Sequence, residues 1–499
     1  MLNFTFKNQP FKHQENCLKQ FGGKNYYALF AEMGTGKTFI IINELNALFA
    51  ANLCQNALIV APNGVHLNWI KEFEKHSILH KNQIVLAAWK SQASTFEKNT
   101  IQSLFDQCNL NKLKILAINQ EALQTQKGAD FALKFLQYSI KNNQQNAIIL
   151  DEADAFKNPT AIRSKNVLKL KPLAQYRRIL TGTPINNSPF DLFMPFSFLN
   201  DNILKTKSFF AFKAQYAEFE PENSPLVGAL RRKSKGGFIP KIVKKDQNGK
   251  PIFKNLDKLH NLIKPHTFFA KKNECVDLPA KIYKNIFFDL TTTQRNAYDK
   301  LKKEAIIELE NADNPTLLDK LTAFGKLPQI TSGFAYNDDS IIEIVPFDKN
   351  PKIKILGDFL IRNQSQKIII WARYQKEIAD IAKLCQTLNL KSVQYHGKCS
   401  TEQRQNAIEL FQNQNATIFI GTAAAGGTGI TLTAANCVVY YSNTWSLRDR
   451  LQSEDRAHRI GQQNNVVYFD LIANNTIDNT IARALQNKED VLNAIMQMQ

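Results

Sequence analysis

Short unbroken apolar runs alternate with longer segments of helical period along most of the chain. Tyr27–Phe30 (YALF) reads as a buried strand, and Phe39–Phe49 carries apolar residues at helical spacing. Asn56–Pro62 (NALIVAP) then leads into Val65–His76, an amphipathic helix. Further strands are predicted at Gln83–Trp89, Lys114–Ile118, Ala147–Leu150 and Arg177–Leu180. The pattern returns late in the sequence, with a strand at Lys367–Trp371, a helix at Gln375–Leu388, and strands ending at Gly397 and Gly421. Strands apolar throughout, separated by helices, predict an α/β fold whose parallel sheets are covered on both faces. Ligands bind such sheets at the strands' carboxyl ends.

Three of those ends carry chemistry. The first is Ala31–Thr38 (AEMGTGKT), between a strand and a helix. Gly34 and Gly36 let backbone N–H groups face an anion, and the helix start adds its own free N–H groups and positive dipole end. Lys37 would reach β- and γ-phosphates and the Thr38 hydroxyl would bind Mg²⁺, with Glu32, Met33 and Thr35 completing the loop. Ala31 stands where the strict phosphate-loop pattern has Gly. The second end is Asp151-Glu152-Ala153-Asp154, where adjacent carboxylates close a buried strand. Charges there cost desolvation unless they meet a cation or do chemistry. Asp151 would hold Mg²⁺ through water and Glu152 would orient and deprotonate an attacking water. At the third, Thr181-Gly182-Thr183-Pro184, hydroxyls would bond Asp154 and sense the γ-phosphate. Upstream, the Gln14 amide has the paired donor and acceptor that an adenine edge requires.

Charge narrows the partners. The 499-residue chain has a formal net charge of +19 and a pI near 9.4, which points to a polyanion. Nucleic acid is preferred to a membrane surface, because no basic anchor helix, signal core or apolar run of spanning length is present. Seven scattered cysteines without a CxxC pair argue against zinc and for a reducing cytoplasm. Residues 201–284 carry 18 Lys plus Arg against 8 Asp plus Glu, a net of +10. Within them Arg231, Arg232, Lys233 and Lys235 open a run of seven basic residues ending at Lys245, expected to grip phosphates. Gln247–Lys250 carries a hairpin turn signal.

The second half offers Thr422–Ile430 (TAAAGGTGI), a Gly-rich loop without the Lys of a phosphate site, and Gln452–Gln462 (QSEDRAHRIGQ). Arg456 and Arg459 are three apart, so on a helix they share a face. They are expected to bring two guanidiniums across a cleft to the γ-phosphate, where such a finger is worth on the order of 10³ to 10⁵ in rate.

Gln14, AEMGTGKT, IVAP, DEAD and LTGTP, in that order, resemble the first lobe of superfamily-two helicases and translocases. QSEDRAHRIGQ with GTAAAGGTGITL, and the segments Leu278–Lys281 and Leu290–Tyr298, resemble the Swi/Snf-type ATPases, a family of double-stranded DNA translocases. The resemblance implies two tandem RecA-like lobes, ATP and Mg²⁺ as cofactors, and double-stranded DNA as partner. It places Gly427 and Gly429 with the nucleotide and Gln452 with the catalytic set, and it suggests Pro62, Asn63, His396, Gly397, Thr422 and Trp445 as nucleic-acid contacts. Asp154 where the family has His, Phe268–Lys272 where it has paired arginines, and Ser442 and Ser446-Leu447 around Trp445 are departures. The expected division is lobe 1 at 1–200, a basic insertion at 201–284, a largely helical protrusion at 285–350 and lobe 2 at 351–499. The expected activity is ATP-driven stepping along duplex DNA. A strand-separating DNA or RNA helicase, the motor subunit of a defence complex, and a scaffold with a vestigial ATPase compete with it.

Overall fold

Each apolar run predicted up to Leu180 is a strand in the computed structural model, which describes residues 2–185, 188–224, 227, 241–246, 251–275, 277–311, 325–337, 340–426, 429–444 and 446–487. Seven strands make the first sheet: β1 (Tyr26–Ala31), β2 (Asn56–Ala61), β3 (Ile84–Ala88), β4 (Leu113–Asn119), β5 (Asn146–Asp151), β6 (Tyr176–Thr181) and β7 (Thr267–Ala270). Their order is β3-β4-β2-β5-β6-β1-β7 and every pairing is parallel. The strands are mostly apolar because the sheet has a core on each face. Leu58, Val60, Ile148 and Leu150 fill one, while Ala57, Ile59, Ile149 and Leu180 fill the other. Three helices bring site residues to this sheet: α1 (Lys12–Phe21), α2 (Lys37–Ala50) and α3 (Val65–His76).

A buried ion pair ties the loop helix to the sheet. Glu44 of α2 accepts from the Arg178 guanidinium of β6 at 2.6 and 2.9 Å, from the Tyr27 hydroxyl of β1 at 2.8 Å and from the Gly23 N–H at 2.9 Å. Both side chains of the pair are 2% exposed. The carboxylate therefore has four donors in place of water, which offsets its desolvation.

The second sheet begins with β8 (Lys281–Phe288). After the antiparallel pair β9 (Phe334–Asn337) and β10 (Ser340–Glu343) it continues with β11 (Ile368–Ala372), β12 (Ser392–Tyr395), β13 (Ile418–Thr422), β14 (Cys437–Tyr440) and β15 (Val466–Ala473). Its order is β12-β13-β11-β14-β15-β8, again all parallel. The α/β class with two helix-flanked parallel sheets is thus as expected.

The expected boundaries are not. One compact unit gathers the described residues up to Phe219 together with those of Val243–Asp277, and a second takes the described residues of Glu220–Ile242 and those from Leu278 on. Residues 201–284 are not all insertion, because Thr267–Ala270 pairs with β1 as β7. Nor is 285–350 all helical protrusion, since β8 runs on to Phe288 in the second sheet and β9 and β10 follow the long helix Thr292–Asn311. Lysines interleaved with short apolar stretches hid β7 and β8. Antiparallel bridges at Phe219–Val243 and Lys245–Pro251 flank the expected turn Gln247–Lys250, which itself lies outside the described residues. Among the described residues no helix is long and apolar enough to cross a membrane.

Candidate nucleotide and nucleic-acid sites

The loop between β1 and α2 is built from backbone that only glycine accepts easily. Gly34 and Gly36 have φ of 78° and 82°, and a Cβ on Gly36 would collide with the Gln14 amide nitrogen. Gln14 is buried and uses both ends of its amide: Nε2 donates to the Thr35 carbonyl at 3.2 Å, and Oε1 accepts from the Phe11 N–H at 2.9 Å. His13 donates to the same carbonyl at 2.8 Å. Gln14 is therefore a strut of the phosphate loop, a role its position in the sequence did not announce. Thr35 is fixed further by its hydroxyl on the Glu32 carbonyl at 2.8 Å, and Lys37 Nζ donates to the Ala31 carbonyl at 2.8 Å. The Glu32 carboxylate accepts the Lys272 N–H at 2.9 Å, so the segment that departs from the family signature closes against the loop.

Gly182 lies against Met33, so the Thr181–Thr183 turn sits beside the phosphate loop. Thr183 N–H donates to Thr181 Oγ1 at 3.1 Å, while the Thr183 hydroxyl is buried with no hydrogen-bond partner. The expected Thr183 bond to Asp154 is thus absent. Asp154 itself is buried in a short 3₁₀ turn, Ala153–Phe156.

Asp151 ends β5 and is 8% exposed. One oxygen accepts the Trp69 indole N–H at 2.9 Å and the other the Glu152 N–H at 3.0 Å. Burial, then the neighbouring Glu152 charge, raise its pKa from 3.8 to about 6, against a lowering by Lys37. Glu152 has φ of 49°, a left-handed conformation rare outside glycine, held by Gln120 Nε2 on the carbonyls of Asp151 at 2.7 Å and Glu152 at 3.3 Å. Its Oε2 is buried with no hydrogen-bond partner. Two crowded carboxylates and a lysine beside a loop of free N–H groups suit a cation bound together with phosphate. Asp151, crowded by Glu152 and facing Lys37, is a donor that fits Mg²⁺ held together with a phosphate; among the described residues no cluster of three or more His, Cys, Asp or Glu could hold a metal alone.

In the second unit, Arg456 and Arg459 both donate to the Ile430 carbonyl, at 3.4 and 3.2 Å, and Arg459 also donates to Thr431 Oγ1 at 3.0 Å. The shared-face expectation needs correction: the helix is Leu447–Ala457, so Arg459 lies past its end and reaches the same carbonyl from the turn before Gly461, whose φ is 101°. Gln452 is buried on that helix. Gly429, with φ of 75°, precedes the carbonyl both arginines hold.

Of the expected nucleic-acid contacts, Asn63 and Gly397 are exposed, and Pro62, His396 and Thr422 are half-buried. Pro62 lies just before α3, its carbonyl accepting the Val65 N–H at 3.0 Å. Burial, followed by Arg404 and Lys398, lowers the His396 pKa. Arg231, Arg232, Lys233, Lys235, Gly427 and Trp445 lie outside the described residues. Sequence reasoning missed Trp69, Gln120 and His13, which touch the site through its carboxylate or its backbone. His13 adjoins Gln14 in the sequence, while nothing there signalled Gln120 or the bond of Trp69 to Asp151.

Residues 18–330 match the SNF2-related domain and 351–461 the helicase conserved C-terminal domain. An uncharacterized ATP-dependent helicase of Mycoplasma genitalium is 26% identical over 478 residues, 95% of this chain and 40% of the relative. The ATP-dependent helicase FUN30 of Saccharomyces cerevisiae is 25% identical, over 92% of this chain and 44% of its own length. The chain thus spans less than half the length of these relatives. A solved Sulfolobus solfataricus SWI2/SNF2 ATPase core in complex with dsDNA is similar at 22% identity, with 98% of this chain and 93% of that one covered and a TM-score of 0.41. The loop and carboxylate motifs lie inside the first match, which spans more than half of the chain, and the arginine motif lies inside the second; the chain belongs to the SNF2 family.

Proposed function

We propose that this chain is an ATP-dependent double-stranded DNA translocase of the Swi/Snf type. The observation that carries the reading is buried Asp151 crowded by half-buried Glu152 beside the Lys37 loop. A buried carboxylate next to a second acid serves a fold poorly unless the two hold a cation and a water. The nucleotide phosphates would lie on the loop N–H groups and Lys37, with Mg²⁺ held by Thr38 and Asp151. When bound, the metal would neutralise charge on the phosphates. Glu152, its Oε2 buried without a partner, would take the proton of the attacking water. Arg456 and Arg459 would stabilise the charge that develops on the transferred phosphoryl group. Thr181 and Asp154 would couple this chemistry to movement. Pro62, Asn63, His396, Gly397, Thr422 and Trp445, with the basic run from Arg231, would grip the phosphate backbone without reading bases. A cytoplasmic location and the basic segment within 201–284 as a nucleic-acid arm belong to the same proposal.

ATP turnover measured with duplex DNA, single-stranded DNA and RNA in parallel tests it. Stimulation by duplex, with displacement of a triplex-forming strand from an intact duplex, is expected. A second reading, a strand-separating helicase, is favoured by Asp154, the residue of DEAD-box proteins. Strand displacement without triplex displacement would establish it in place of the first.

A further inference from the structure

Helix α3 starts at the segment proposed to touch nucleic acid and passes the metal-holding carboxylate. Pro62 lies just before it, its carbonyl accepting the Val65 and His66 N–H groups, Gly64 is its N-cap, and further along Trp69 is 1% exposed with its indole N–H on Asp151. The helix is pinned elsewhere as well. His66 Nε2 donates to the Trp89 carbonyl at 3.1 Å, just after β3, and Ser77 Oγ donates to Asn46 of α2 at 2.9 Å. These contacts fix α3 to its neighbours, and it reaches Asp151 through the Trp69 indole. A buried indole N–H needs an acceptor, yet backbone carbonyls at the strand ends offer neutral ones. Here it is met by the carboxylate that the ATP reaction uses.

We propose that Trp69 is a positioning residue that transmits nucleic-acid contact at Pro62 and Asn63 to Asp151. The indole N–H and the Glu152 N–H take one oxygen each, so the carboxylate plane is set by α3 on one side and by the strand end on the other. A small displacement of α3 turns the carboxylate and changes how well it holds the metal. This inference rests on the function proposed above, because it assigns Asp151 to the metal.

Trp69→Phe keeps a ring in the core and removes the donor, while Trp69→His restores a ring N–H in a smaller side chain. The readouts are binding of a fluorescent ATP analogue with EDTA and with Mg²⁺, turnover with and without a blunt DNA duplex, and the melting midpoint. In Trp69→Phe the Mg²⁺-dependent gain in analogue affinity and the duplex stimulation should each fall roughly ten-fold, the usual scale for losing an outer partner of a metal ligand. Analogue affinity in EDTA should stay within about two-fold of wild type, and Trp69→His should keep more of both effects than Trp69→Phe. Unchanged Mg²⁺ gain and stimulation in Trp69→Phe overturn the inference. So does equal impairment of the two variants with lowered melting, which would mean packing alone. A wild-type chain without duplex-stimulated turnover would instead refute the proposed function, and the Mg²⁺-dependent affinities would still decide the role of Trp69.

Discussion

At Asp151 and Gly36 the chemistry of the site is at odds with the comfort of the fold. The Asp151 pKa is raised from 3.8 to about 6 because burial and then Glu152 oppose its charge. Between those two values the folded state binds more protons than the unfolded one, so stability falls as pH rises through the window. Asp151→Asn removes that charge and keeps an acceptor for Trp69. In metal-free buffer at pH 8 it should stabilise the protein by up to about 3 kcal/mol. The gain should shrink below pH 6 and vanish below about 4, as read by denaturant melts across pH. ATP turnover should be lost in the same variant. Gly36→Ala should go the other way. A side chain at φ of 82° costs about 1–2 kcal/mol and its Cβ pushes into the Gln14 amide, so nucleotide affinity measured by a fluorescent analogue should fall at least ten-fold. The residue types here were legible in the sequence because each is forced locally: glycine by backbone, adjacent acids by their cost of burial. Partners were not, since Trp69 lies 82 residues from Asp151 and Gln120 lies 31 residues away.

Helices and strands that carry the site are held by buried charge as much as by apolar contact. In the second unit the helix Leu447–Ala457 presents Arg450 to Asp470 of β15 at 2.5 and 3.0 Å and to its own Glu454 at 2.7 Å. Glu454 also accepts from Lys281 at 3.1 Å and Tyr283 at 2.7 Å, both on β8. His458, one residue past the helix, donates to the Pro279 carbonyl at 2.7 Å. The helix bearing Arg456 is thus fastened to the strand that opens the second sheet. Arg450→Met leaves the Asp470 and Glu454 carboxylates buried with fewer donors and should cost about 3–5 kcal/mol in denaturant unfolding. Nucleotide binding, proposed for the first unit, should survive in the folded variant while turnover falls. Glu44→Gln tests the matching tie in the first unit. It strands Arg178 without a countercharge, and a loss of about 3 kcal/mol by the same melts is expected. Strand existence was plain from the sequence because parallel strands buried on both faces read as nearly continuous apolar runs. β7 and β8 escaped because they lie at sheet edges, where Lys281 and Lys284 are tolerated, and the register of Arg459 escaped because helical period says nothing about where a helix stops.

Across the whole molecule the excess positive charge decides how the protein meets a polyanion. The net of +19 contains +10 from residues 201–284, and a field of that size speeds encounter without selecting sequence. Charge that acts only as a diffuse field and charge that touches phosphates differ in their response to salt. A cation in contact with a phosphate releases a counterion on binding, and each such contact contributes about 0.9 to the slope of log affinity against log salt on duplex DNA. Changing Arg231, Arg232, Lys233 and Lys235 together to glutamine should therefore flatten the slope by up to ~3.6 if all four touch phosphates. Binding isotherms to one duplex at several salt concentrations measure it. Weaker binding with the wild-type slope would mean that the four side chains shape the protein without touching the nucleic acid. An unchanged affinity and slope would assign the grip to the remaining positive charge, with the segment serving solubility alone. A slope that flattens equally on duplexes of unrelated sequence would show that the grip reads backbone rather than bases, as stepping along any DNA requires.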